Sequence, residues 1–406
     1  MASQRYLTAK EAAEKLNVTA ATLYAYVSRG LLRSEATDDK RQRRYYAEDV
    51  EKLLTRREAR RNPESVAKEA LQWGAPVLES AITLIADGRF YYRGQDALEL
   101  AQTTAAEDVA ALLWTGDRQD AARLFEGSVT ARPYELMLLH LEMDGAHLSP
   151  LAMLQTFLPV AATDDAGAYD LRPQAVAYTG ARILRLMTSV VVGDVAEDVS
   201  LASMLQRGWA PDDEHAERLF NTALILCADH ELNVSAFAAR TVASAGSTPY
   251  GAVMGGLAAL QGYKHGGHTV RVEAMMREAA TPGAIRDVIA KRLQRGEFVP
   301  GFGHKLYPQG DPRAQLLLKL VQESYPDSEA VAKAMVAVKA AADLLREAPT
   351  VDFALVALCD ALGLPEGSAI TLFALGRTIG WIGHAIEQYS DGQMIRPRAL
   401  YRGEQP

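Results

Sequence analysis

AERLFNTALILCADHELNVSAFAARTVASA, residues 216–245, places Leu219, Phe220, Ala223, Leu224 and Cys227 at three- and four-residue spacing. That spacing marks a buried helical face. The same period runs through PYELMLLHLEMDGAHL (133–148) and AVAKAMVAVKAAADLLREA (330–348), with Gly or Pro between the runs. Strand signal is scarce. RFYYRG (89–94), after AITLIADG, is the best short candidate. From about residue 76 onward the chain is predicted to be mainly α, built from many packed helices.

Working outward, the 406 residues are 49% hydrophobic and 23% charged, an ordinary globular composition with length for more than one domain. The two cysteines, Cys227 and Cys359, sit in apolar runs and read as small buried hydrophobes, not as a disulfide or a metal site. No Cys/His cluster has metal-ligand spacing. The N-terminus lacks an apolar signal core, and no uninterrupted apolar run of membrane-spanning length is evident. A reducing cytoplasm and no membrane partner are the expectation.

Charge divides the chain. Residues 1–62 carry 14 basic against 9 acidic groups, a net +5, so with −8 overall the remainder is −13. Such asymmetry points to two parts with different partners. In the basic part, Thr8 with Glu11 three residues on has capping-box spacing, ahead of an apolar stripe of Ala12, Ala13 and Leu16. Thr19 opens a second helix carrying Leu23, Tyr24 and Val27, stopped at Gly30. A charged turn, DDKRQRR, then leads to Tyr45-Tyr46, read as a two-stranded wing, and a third helix follows.

This order resembles the winged helix-turn-helix modules of the MerR and excisionase type. The resemblance implies that Thr19, Thr22, Tyr24 and Tyr26 face a DNA groove while Arg41, Arg43 and Arg44 meet phosphates. The alternative is a solvated basic face on a module that mediates protein contacts or assembly. Pro63 breaks the helical pattern, giving a module over 1–62, a linker over 63–75 and a helical region over 76–406.

Three of the eight histidines stand out. His265 lies in KHGGHTVRVEAM (264–275), where two glycines precede a helical run. His304 lies in GFGHKLYPQGDPRA (301–314), a Gly- and Pro-rich loop ending in Arg313. Glycines admit close backbone approach to a ligand, and an arginine fork suits a carboxylate. His230 falls inside an apolar helix pattern, where a lone histidine is usually a hydrogen-bonded core residue. Asp352 heads an apolar helix, VDFALVALCDALGLP (351–365), and N-capping is its simplest role. Arg377 is a charge within the apolar run ALGRTIGWIGHAIEQ (374–388) and needs an anionic partner, none being evident nearby. His140, His147, His215 and His384 have no distinguishing context.

Taken with HELNVSAFAARTVAS (230–244), RPRALYRG (396–403), DGRFYYRGQDALELA (87–101) and VAALLWTG (109–116), these motifs follow the order and spacing of the citrate synthase family, which the chain resembles over nearly all of 76–406. The resemblance implies a multi-helical fold with a large domain and an inserted small domain over roughly 235–345, in a homodimer. It implies condensation of acetyl-CoA with oxaloacetate and water to citrate and CoA, without a metal or other cofactor, acetyl-CoA being a co-substrate. Asp352 is then the base, His265 the donor to the thioester oxygen, and His304 the donor to the oxaloacetate ketone. His230, Arg313, Arg377 and Arg396 hold oxaloacetate, Arg396 from the partner subunit. A neutral imidazole suits the donor role, and a helix N-terminus after His265 favours neutrality.

Lys264, His268 and Thr269 depart from the family's residues around the first catalytic histidine and bear on acyl-CoA preference. Propionyl-CoA, giving 2-methylcitrate, is one alternative, since one methylene changes binding by only ~1–3 kcal/mol. A metabolite-sensing DNA-binding regulator on the same fold is the other.

Overall fold

The structure is a computed structural model. It describes residues 78–126, 148–193, 199–399 and 401–404 and, in the N-terminal segment, 6–16, 18–28, 31–36, 43–47, 49–50 and 53. The chain divides into two compact units, one of them Ser80–Arg396 and the other formed by the residues outside it.

The N-terminal unit contains β1 (Tyr6–Thr8), α1 (Ala9–Leu16), α2 (Ala20–Ser28), β2 (Ser34–Ala36) and β3 (Arg43–Tyr46). The capping box forms. The Thr8 N–H donates to Glu11 Oε2 at 2.8 Å and the Glu11 N–H to Thr8 Oγ1 at 3.3 Å. Ala12, Leu16, Leu23, Leu32, Tyr45, Val50 and Leu53 bury a small core. The expected two-stranded wing is a three-stranded antiparallel sheet in the order β1-β3-β2. Tyr6 pairs with Tyr46, ring centroids 5.0 Å apart, and such cross-strand aromatic contact recruits the extra strand. Gly30, Arg41 and the linker over 63–75 lie outside the described residues, as does nearly all of the helical run at 133–148.

In the second unit a short antiparallel sheet, β4 (Thr83–Ala86), β5 (Arg89–Tyr92) and β6 (Gln95–Asp96), precedes the helices. The RFYY strand is where the alternation placed it. Everything else named in this unit is helical: α3 (Ala97–Thr103), α4 (Ala106–Thr115), α5 (Ala121–Leu124), α6 (Pro150–Asp164), α7 (Pro173–Val192), α8 (Leu201–Trp209), α9 (Ala216–Cys227), α10 (Val234–Ser244), α11 (Pro249–Leu260), α12 (Gly267–Arg277), α13 (Ala284–Gln294), α14 (Pro312–Ser324), α15 (Glu329–Leu344), α16 (Val351–Ala361) and α17 (Ser368–Asp391).

Helix α17 is the axle of this core, packing against α4, α7, α9, α10, α11 and α16. Small residues make the approach close. A Cβ at Gly380 would stand 2.4 Å from the Ala228 carbonyl oxygen; with glycine there, the Gly380 N–H donates to that oxygen at 2.9 Å. This contact draws the end of α9 onto the middle of α17. Both α7 and α17 are long and apolar enough to span a bilayer, an adjustment to the sequence reading, but their apolar stretches are 72% and 100% buried within the protein. They serve as core helices.

Candidate active site

The single apolar pattern that carried His230 is two helices with a break. Helix α9 stops at Cys227, and Asn233 starts α10 by accepting from Ser235 N and Ala236 N, both at 3.1 Å. His230 sits in the break, and its Nε2 hydrogen-bonds the Tyr307 hydroxyl at 2.9 Å. Helices α12, α14 and α16 also begin close by. The loop after Gly301 is pinned to the start of α16 by Gly303 N donating to Ala348 O and Thr350 N to Gly301 O, each at 2.9 Å. Gly301 and Gly303 have φ of +91° and +80°, a conformation that glycine enters without strain.

This pinning gathers the sequence-predicted residues. The rings of His230 and His304 are 5.5 Å apart and nearly perpendicular, and Tyr307 lies 5.0 Å from His304. His265, just before α12, hydrogen-bonds Ser235 Oγ at 2.8 Å and stands 6.4 Å from the Phe373 ring. The Arg377 guanidinium lies over the same Phe373 ring, 4.8 Å from its centre. The charge of Asp352 acts on His265, His268 and His304 alike. Six of the seven expected residues therefore form one cluster. Arg396 is exposed and shares no described hydrogen bond or ion pair with them.

Asp352 does not cap its helix. Thr350 is the N-cap residue, and the Val351 N–H is taken by Asp311 Oδ2 at 3.0 Å. The Asp352 carboxylate instead accepts from Thr269 Oγ1 at 2.8 Å and Thr350 Oγ1 at 3.3 Å. Asp311 also holds Arg313 in a two-point pair, Nε to Oδ1 at 2.9 Å and Nη2 to Oδ2 at 2.8 Å. Arg377 is the less satisfied cation. Its Nε donates to Cys227 O at 2.7 Å, while its buried Nη2 has no partner. A buried unpaired donor on a charge costs free energy that a bound anion would restore. The negative charge nearest in effect is Asp229, far from Arg377 in sequence, which is why no partner was evident locally.

The imidazoles facing the cluster are neutral. Burial, helped by Arg377, pulls His265 down to about 4. Burial and the Arg313 charge also lower His304, and burial with both arginines lowers His230 well below the ordinary range. Burial, more than the helix N-terminus, is thus the cause of neutrality at His265. His304 has a defined tautomer. Its Nδ1 accepts from Leu306 N at 3.2 Å, so the single ring proton is on Nε2 and available to a substrate oxygen.

Five neighbours were not singled out from sequence: Ser235, Asp311, Tyr307, Asp229 and His384. His384, fully buried on α17, has Nε2 3.1 Å from Asp229 Oδ1 and Nδ1 3.7 Å from Glu387 Oε2. Asp229 also accepts from Thr83 Oγ1 at 2.6 Å. Despite burial, the Asp229 charge and hydrogen bond hold the His384 pKa up at about 9. Its seven-residue spacing from Arg377, two turns along one helix face, was the available signal.

On the N-terminal unit, Thr19 is exposed and Thr22 half-buried, their hydroxyls 3.0 Å apart at the start of α2. Tyr24 is 56% exposed, whereas Tyr26 packs on the small core. Arg43 and Arg44 are exposed on β3, Arg44 lying 4.6 Å over the Tyr6 ring and 3.8 Å from Glu35.

A carboxylate, neutral hydrogen-bond donors and buried arginines in one cluster suit a carbon–carbon condensing enzyme acting on an anionic acceptor. Comparison with known proteins agrees. Residues 70–398 match the citrate synthase C-terminal domain family, and residues 6–58 match a helix-turn-helix domain family. A citrate synthase of Haloferax volcanii is 33% identical over 362 residues, covering 82% of this chain and 94% of its own. A 2-methylcitrate synthase of Corynebacterium glutamicum is 28% identical over 348 residues, covering 77% and 88%. The crystal structure of citrate synthase from Thermotoga maritima superposes with a TM-score of 0.69 at 27% identity, covering 82% of this chain and 95% of that one.

The chain belongs to the citrate synthase family, with a helix-turn-helix domain at its N-terminus. It is an acyltransferase-type enzyme, of a family that needs no metal or prosthetic group and uses the acyl-CoA as substrate.

Proposed function

We propose that the protein condenses acetyl-CoA with oxaloacetate and water, giving citrate and CoA. Asp352 takes a methyl proton from the thioester, and His265 donates to the carbonyl oxygen as the enolate forms. The methyl carbon bonds to the oxaloacetate ketone carbon while His304 Nε2–H neutralises the alkoxide. Water then cleaves the C–S bond and CoA leaves as the thiol. A thioester's α-proton is far less acidic than a carboxylic acid, so oxyanion stabilisation is indispensable; one such donor is worth ~2.7–4 kcal/mol. His230, Arg313 and Arg377 bind oxaloacetate, and the exposed Arg396 completes the site from a second copy, which makes the working form a dimer.

The observation that carries this reading is the shared cluster of Asp352, His265 and His304, with the last two neutral. The test is thiol release from acetyl-CoA and oxaloacetate, repeated with propionyl-CoA. Asp352→Asn should reduce kcat by about 10²- to 10⁴-fold, the range for a lost general base. Equal inertness of wild type and variant on both thioesters refutes the reading; a higher kcat/KM for propionyl-CoA reassigns the enzyme to 2-methylcitrate synthesis.

Domain limits follow the sequence reading: 1–62, a linker over 63–75 and 76–406, with a small domain over roughly 235–345 that closes on substrate. The exposed Tyr24, Arg43 and Arg44 support DNA contact by the first of these, in a cytoplasmic enzyme. Gel shift at low salt, with and without oxaloacetate, tests it. No shift at any protein concentration would leave the module an assembly element.

A further inference from the structure

The first turn of α12 holds His268 and Thr269, and both reach the cluster around Asp352. Thr269 is completely buried, and its hydroxyl donates to Asp352 Oδ1 at 2.8 Å. His268 Nε2 accepts from the Gly301 N–H at 3.1 Å. The Gly301 carbonyl in turn accepts from Thr350 N at 2.9 Å and Thr350 Oγ1 at 3.3 Å, and Thr350 Oγ1 is 3.3 Å from Asp352 Oδ2. The Gly301 backbone thus contacts His268 through its N–H and, through its carbonyl, the threonine beside Asp352. His304 follows it by three residues.

We propose that His268 and Thr269 are positioning residues for the proton-abstraction step. Thr269 fixes the rotation of the Asp352 carboxylate by occupying Oδ1, and His268 ties the helix after His265 to the loop carrying His304. A carboxylate free to rotate spends less time aimed at a methyl hydrogen, and proton transfer is steeply sensitive to that geometry. Neither residue need touch substrate. Thr269 cannot be replaced in this role by Thr350 alone, whose hydroxyl is shared with the Gly301 carbonyl and lies 3.3 Å from each oxygen. This inference rests on Asp352 being the base.

The experiment compares Thr269→Val with Thr269→Ser in the full chain. Valine keeps the shape and removes the donor; serine keeps the donor. Losing a hydrogen bond to a charged group corresponds to about a 10- to 100-fold fall in kcat for the valine variant, with both KM values little changed. The serine variant should recover most of kcat. The kinetic isotope effect on kcat with methyl-deuterated acetyl-CoA should rise in the valine variant only, because the impaired step is proton transfer. For His268, phenylalanine keeps a ring beside Phe298, 5.5 Å away, while glutamine restores an acceptor; glutamine should retain more activity. Should wild type turn over while valine and serine variants fall equally, or fall with an unchanged isotope effect, the positioning role is overturned and the proposed reaction stands. If wild type itself releases no thiol, both fall together. Should the valine variant fail to fold, the serine variant's kcat and isotope effect decide alone, wild-type values supporting the role and a large loss contradicting it.

Discussion

His265 and His384 are both imidazoles removed from water, yet one is neutral with a pKa of about 4 and the other charged with a pKa of about 9. Around His265 burial acts with the Arg377 cation and outweighs the Asp352 charge, and the ring partners among the described residues are the Ser235 hydroxyl and Phe373. Around His384 burial is outweighed by two carboxylates, Asp229 and Glu387. Desolvation alone makes a histidine a neutral donor; a carboxylate within hydrogen-bond reach reverses the outcome. In the proposed reaction the first arrangement serves the chemistry, and the second anchors the chain beside it.

The comparison breaks most visibly at His384. His384→Gln leaves Asp229 buried beside an uncharged partner, and loss of one member of a buried pair costs about 3–5 kcal/mol. The unfolding midpoint should fall sharply in denaturant titration. The pH dependence has a definite sign. The folded protein keeps the His384 proton up to about 9 while the unfolded chain releases it near 6.5, so this stabilisation is full below 6.5 and fades as pH rises through about 9. His265 contributes the opposite slope, lost as pH falls from 6.5 toward about 4. The His384→Gln variant should lose the alkaline decline expected of wild type.

Arg377 connects the two regions, since its charge acts on His265 and feels Asp229. Arg377→Met should raise the KM for oxaloacetate by roughly a hundredfold, in keeping with loss of one partner from a buried charge contact, and initial-rate measurements would show it. A smaller effect belongs to Gly380→Ala. The added Cβ meets the Ala228 oxygen and Asp229 Oδ1 at 2.4 and 2.5 Å, so overpacking of about 1–3 kcal/mol should appear as a lower thermal midpoint.

The site-side histidines were readable because glycines and prolines interrupt the helical period around them, and the mainly helical fold was readable from that period itself. What escaped depends on crossings between distant segments. Asp229 meets His384 only because Gly380 lets α17 approach the end of α9. The break at His230 was hidden, since the apolar spacing of 216–245 continues through it; Asn233 as an N-cap was the local clue. Asp352 looked like a cap because helix starts favour aspartate, but Asp311, the N-cap of α14, takes the first free N–H of α16. The strand at Tyr6–Thr8 is three residues long and gains its pairing from the wing, a partner that sequence order does not announce.

The central claim is that acid–base chemistry here runs through one carboxylate among uncharged imidazoles. It is tested most directly by ¹⁵N NMR of histidine-labelled protein at pH 7, with resonances assigned through single substitutions. The account predicts neutral rings at 230, 265 and 304, the His304 proton on Nε2, and an imidazolium at 384. A cationic ring at 265 or 304 would contradict it.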